Sequence, residues 1–224
     1  MILGTITKSD SLVSYLCQVY RPGDVEVVPG PADYAFGRFV KIALDSPLQL
    51  AGPTSPVAQQ GWSPGRSVVG VICNTILSGP GLDSGGPRLS NAEQVPVFTP
   101  DYLSERGVFV TVLTLGMMEE TQPSPDGQVH LVTRMQGVPL SPRPDSLVET
   151  MTEEEIRAFH CSRKAGVALE LGYLSHLRAF GTPFFAAIAL EIIRQLELLV
   201  PHGTALLSIL KRNLAWQHIV EPMR

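Results

Sequence analysis

The spacing of apolar and polar residues changes character near residue 150. Before that point, short apolar runs recur between clusters of Gly and Pro, the punctuation of a strand-rich fold. Residues 2–7 form the first run. Residues 12–20 alternate, with Val13, Tyr15, Cys17 and Val19 on one face and Leu12, Ser14, Leu16, Gln18 and Tyr20 on the other. Arg21-Pro22-Gly23-Asp24 predicts a turn, because Pro presets φ and Gly accepts a positive φ. A short edge-like run at 25–28 precedes Pro29-Gly30-Pro31. Residues 37–44 read as a half-buried strand, 68–77 as a central one, 109–115 as an alternating one, and 129–135 as a last short one. About six or seven strands without intervening helices predict a small antiparallel β-barrel, because closure removes exposed edges. The expected barrel domain covers residues 1–145. Residues 49–64 and 78–100, rich in Pro, Gly and Ser, read as long loops.

After a Pro-rich linker at 139–144 the period becomes helical. Thr152-Glu153-Glu154-Glu155 predicts a capping box, in which the Thr152 hydroxyl accepts from the amide of Glu155 while its carboxylate reaches back. The three glutamates also suit a helix N-terminus. A helix is expected from there to Phe180, with Ile156, Phe159, Val167, Leu171, Leu174 and Leu177 making apolar contacts. Pro183 suits the first turn of a second helix, with Thr182 as its N-cap. That helix, 184–200, is apolar almost all round, with Glu191, Arg194 and Gln195 as a narrow polar stripe. A third, 204–220, carries Leu206, Leu207, Leu210, Leu214 and Trp216. The expected architecture is therefore α+β, a barrel followed by a helical domain at 150–224. A helix apolar on most sides is buried or used as an interface. The expected interface residues are Phe184, Phe185, Ile188, Ile192, Leu196 and Leu199, and a homo-oligomer is the favoured assembly.

Composition supports this picture. Of 224 residues, 44% are apolar and only 17% charged, a thin charged surface that another chain could cover. The net charge of −4 forces no basic stripe on the molecule, which demotes nucleic-acid binding without excluding it. Cys17, Cys73 and Cys161 are far apart and odd in number, so they read as reduced, buried small hydrophobes. The first ten residues lack the pattern of a secretory signal, and the most apolar helix is interrupted by Glu191, Arg194 and Glu197. A cytoplasmic protein without a membrane span is expected.

Motifs for catalysis fail on physical grounds. Gly61-Trp62-Ser63-Pro64-Gly65 spells a nucleophile elbow, but the residue after the serine must donate an amide to the oxyanion, and Pro64 has none. The glycine-rich stretch 79–87 lacks the lysine of a phosphate loop, and its prolines delete donors. His130, His160, His176, His202 and His218 show no metal-ligand spacing. The glutamates at 119–120 and 153–155 read as solvated charges and a helix cap. No catalytic residue, metal or cofactor is expected.

The barrel half resembles a known family in the order of its short motifs. Ile2-Leu3-Gly4-Thr5-Ile6, Gly37-Arg38-Phe39-Val40-Lys41-Ile42, Val68-Val69-Gly70-Val71-Ile72 and Phe109-Val110-Thr111-Val112-Leu113-Thr114-Leu115-Gly116 follow one another, and Gly137-Val138-Pro139-Leu140-Ser141-Pro142 leads out. In this succession residues 1–150 resemble the HAS-barrel, the N-terminal domain of HerA-type DNA translocases, related in fold to the N-terminal barrel of rotary ATP synthase subunits. In those translocases a RecA-like ATPase core follows the barrel. Here a short helical segment without Walker motifs follows instead, so the family's ATPase activity is not implied. What the resemblance implies is ring assembly and docking of a partner, in that family a NurA-type nuclease.

Three function classes are therefore carried forward. The first is a non-catalytic interaction module, assembling with itself or with a separate ATPase or nuclease subunit in DNA processing. The second is a nucleic-acid-binding barrel, with Arg38, Lys41 and Arg66 as weak contact candidates and Phe39 available for stacking. The third is an enzyme whose barrel holds a flavin or another small cofactor through backbone contacts.

Overall fold

A seven-stranded sheet, a separate two-stranded pairing and four α-helices are built by the residues that the computed structural model describes, 1–44, 65–78, 107–120, 131–135, 137–162, 168–180 and 184–216. The barrel strands are β1 (Ile2–Ser11), β2 (Ser14–Val19), β3 (Phe39–Ala43), β4 (Arg66–Ser78), β5 (Gly107–Glu120) and β7 (Leu147–Thr150). Their order is β2-β1-β7-β3-β4-β5, and β2 pairs back onto β5, which closes a six-stranded antiparallel barrel. The seventh strand, β6 (Leu131–Arg134), pairs with the far half of β5 outside the closed ring. One edge of β5 thus serves two partners: β2 along Phe109 to Leu113 and β6 along Met117 to Glu120.

The alternation read in the sequence sets the two faces. Tyr15, Cys17 and Val19 of β2 point into the barrel, where they meet Val40 and Ile42, Val68 and Ile72, and Val110 and Val112. Burial pushes the Cys17 thiol up to about 12, so it stays neutral. Val69 and Val71 of β4 and Leu113 and Leu115 of β5 point outward, yet they too are buried. The near-continuous apolar runs of β4 and β5 follow from this: one face fills the barrel and the other lies beneath helices.

Those helices are α1 (Glu153–His160), α2 (Tyr173–Ala179), α3 (Phe185–Leu199) and α4 (Thr204–Ala215). They share one hydrophobic cluster with the outer barrel face. At Gly37, with φ +80°, the carbonyl accepts a hydrogen bond from Gln195 Nε2 of α3 at 2.9 Å. Arg157 of α1 donates from Nε to the Leu199 carbonyl at 3.0 Å, satisfying one of the unpaired acceptors at the end of α3.

The capping box forms as the sequence predicts. Thr152 Oγ1 accepts from the Glu155 amide at 3.3 Å, and Glu155 Oε2 accepts from the Thr152 amide at 2.8 Å. Four features differ from expectation. The barrel continues past residue 145, since β7 lies between the Pro-rich linker and the cap. The long helix to Phe180 is two short ones, because Cys161 turns extended (φ −113°, ψ 106°). It enters a two-residue pairing of β8 (Cys161–Ser162) with β9 (Ala168–Leu169). The start of α3 is capped by Phe184 in a left-handed conformation, while Thr182 and Pro183 lie outside the described residues. The edge-like run at 25–28 forms no strand, only an isolated bridge between Pro22 and Val25.

Two substitutions test this architecture. A methyl group at Gly4 would overlap the Gln18 carbonyl on the neighbouring strand. Gly4→Ala should therefore destabilise the fold by about 2–3 kcal/mol in urea unfolding. Thr152→Ala removes the cap and should cost about 1 kcal/mol in the same measurement.

Candidate functional site

Lys41 projects from the outer face of β3, opposite Glu149 of β7 in the strand register. Its Nζ lies 3.3 Å from Glu149 Oε2 and 2.7 Å from Glu155 Oε1. Partial burial alone would lower the Lys41 pKa, but the hydrogen bonds and charges of Glu155 and Glu149 outweigh it and raise it. Glu155 mirrors this. Burial would raise its pKa, while bonds from Lys41 and Thr152 hold it below the usual carboxylate value. The cap of α1 is in this way tied to the barrel by the same carboxylate that closes the capping box.

Lys41, Glu149 and Glu155 line a cleft of about 250 Å³ with Arg66, Glu120 and Met118. The structure thus brings two of the three candidate nucleic-acid contacts together. Arg38 lies outside this cleft, exposed at the turn before β3. Phe39 is fully buried beneath the helices and presents no face to a base. Three carboxylates among the lining residues, two of them on Lys41, make the cleft a poor phosphate site. A second, larger cleft of about 590 Å³ lies between the end of β6 and the start of α2, lined by Arg134, Met135, Glu170, Leu171 and Gly172.

A buried polar pair joins α1 to α2. His160 has no exposed surface. Its Nδ1 lies 2.8 Å from the Ile156 carbonyl, which can only accept, so Nδ1 carries the proton. Nε2, 2.9 Å from the Tyr173 hydroxyl, then accepts from it. Phe39, Phe159 and Tyr173 surround the ring edge to face. Burial among them lowers the His160 pKa to about 4, a shift that the bond to Ile156 only partly opposes. The histidine is a neutral structural pin. The sequence carried no sign of it, because its partner lies 13 residues away across the β8–β9 pairing.

The expected interface helix divides its residues. Ile188, Ile192 and Leu196 are fully buried, so the chain's own barrel and helices cover them. Phe185 and Leu199 are half-buried against the same cluster. Phe184 is exposed, and so are Phe180, Leu198, Leu206, Ile209 and Trp216. Sequence reading missed Leu198 and Ile209, since only the packing tells which side of each helix the barrel takes.

Cys73 and Cys161 are half-buried and Cys17 is buried; all three are free. Among the described residues, no helix is long and apolar enough to cross a membrane, and no group of three His, Cys, Asp or Glu is placed to hold a metal. The serine motif up to Pro64, the glycine-rich stretch 79–87, His130 and His218 lie outside the described residues. The family model of a domain of unknown function (DUF8166) matches residues 1–223, and the chain belongs to that family. No curated protein matches it.

The buried histidine predicts an acid-sensitive fold. Its pKa is lower folded than unfolded, so between about 6.5 and 4 the unfolded state binds more protons and stability falls as pH falls. From pH 7.5 to pH 5 the wild-type chain should lose about 2 kcal/mol through this residue. His160→Gln, which cannot titrate, should lack that part of the slope in urea unfolding at the two pH values.

Proposed function

We propose that this member of the DUF8166 family is a non-catalytic assembly module that docks a separate ATPase or nuclease subunit in DNA processing. The observation that carries the reading is Phe184. It is held at φ 61° and is 70% exposed. A left-handed backbone costs a side-chain-bearing residue about 1–2 kcal/mol, and an exposed aromatic ring contributes little to the core in return. Strain of this kind concentrates where a residue serves a partner. Phe180, at the end of α2, adds a second exposed ring close by in the chain.

The resemblance of residues 1–150 to the HAS-barrel supports the same reading, because ring assembly and partner docking are the roles it implies. The two alternatives draw less support. The carboxylates around Lys41 count against nucleic acid at that cleft. The described barrel interior is filled by side chains such as Leu3, Tyr15, Val40 and Ile72, which counts against a cofactor held inside it. The module is proposed to act in the cytoplasm, where its three free cysteines stay reduced.

A pull-down with the whole chain tests this, using a purified HerA-type ATPase and a NurA-type nuclease of the same organism as prey. The wild-type chain should retain one of them. Phe184→Gly should stabilise the chain by about 1 kcal/mol and weaken retention at least about tenfold. Retention of neither subunit, or retention unchanged by Phe184→Gly, overturns the reading.

A further inference from the structure

α4 has two apolar sides, and the fold uses one. Leu207 is fully buried, and Leu210 and Leu214 pack beside it on the shared cluster. On the other side Leu206 is 45% exposed, Ile209 50% and Trp216 58%. A single exposed apolar residue is ordinary. These three, with exposed Asn213 between them, follow one another at intervals of three, four and three residues. That is the a-d-a-d spacing of a helix seam. It forms one line along the helix, separate from the buried one.

We infer that this stripe, Leu206, Ile209, Asn213 and Trp216, pairs α4 with the same helix of a second copy of this chain. The inference rests on the assembly-module reading and gives it a surface. Asn213 decides the occupant. A purely apolar partner would bury its amide unsatisfied, at a cost. A second copy in parallel register brings Asn213 against Asn213, where each amide is both donor and acceptor for the other. A lone Asn at an a position selects this arrangement in paired helices. Charge agrees. None of the four stripe residues is ionisable, so two copies meet without repulsion. Lys211 is held by Glu197 of α3 at 2.8 Å, on the flank away from the stripe. The seam is only about three turns long, short of the roughly 1,200 Å² at which stable complexes begin, so the pairing is weak.

Sedimentation velocity of the whole chain, from low micromolar to submillimolar concentration, reads the outcome. A monomer–dimer equilibrium with a dissociation constant on the order of 100 µM is expected. Ile209→Glu, at a half-exposed position, should keep the circular dichroism of the wild type and weaken the dimer at least about tenfold. Asn213→Leu should tighten association about tenfold and admit species larger than a dimer. A wild-type chain that stays monomeric throughout overturns the inference. So does a dimer that Ile209→Glu leaves intact, which would place self-association on another surface. Neither result touches the assembly-module reading, which stands or falls on retention of the ATPase or nuclease.

Discussion

The outer face of β4 and β5 cannot meet water. Val69, Val71, Leu113 and Leu115 line it, and a barrel that left them bare would expose a continuous apolar band. An isolated small barrel normally alternates apolar-in and polar-out. Here the alternation fails on two adjacent strands, and the helices are the consequence. Ile188, Ile192 and Leu196 of α3 meet that band, so the barrel and its helical segment form one hydrophobic unit. The helices are a lid that the barrel requires.

Directional contacts then fix where the lid sits, since burial alone is indifferent to register. Lys41 ties β3 and β7 to the first turn of α1 through two carboxylates. Gln195 ties the C-terminal half of α3 to the carbonyl of Gly37, just before β3. His160 and Tyr173 tie α1 to α2 inside the apolar cluster. All three ties gather around β3: Lys41 belongs to it, Gly37 leads into it, and the His160 ring packs on Phe39. A short strand of five residues is thus the post against which the helices are aligned.

How much of this was legible depended on how local each signal is. The inward face of β2 and the Thr152 cap could be read residue by residue, because alternation and capping are written within a few positions. β7 was not legible. Its four residues are too few for a period, and they sit between a Pro-rich linker and a helix cap, both stronger signals. The break of the long helix after His160 also escaped, since helical spacing continues across it in Phe159 and Tyr173, which the fold stacks from separate helices. Glu155 read as a solvated cap because its second partner, Lys41, is 114 residues away. Arg38, Lys41 and Arg66 read as a set because all are basic. The fold pairs Lys41 with carboxylates and leaves Arg38 outside the cleft that the other two line.

The same logic bears on function. A sequence shows that a helix is too apolar to stand in water, but not which side its own chain will cover. For α3 the chain covers Ile188, Ile192 and Leu196, and leaves Leu198 and the Phe184 cap exposed. On the lid, exposed apolar side chains also lie at its margins: a left-handed Phe184 where α3 begins, and the unburied side of α4. Residues that serve the core are held by many neighbours and sit in relaxed geometry. Phe184 is held in strained geometry with its ring in water, and Leu206, Ile209 and Trp216 keep a seam's spacing while about half exposed. Neither arrangement helps the isolated chain to fold. A strained residue with its ring in water gains nothing from its own chain in return, which is why the proposed docking is placed on the lid and not in the barrel interior.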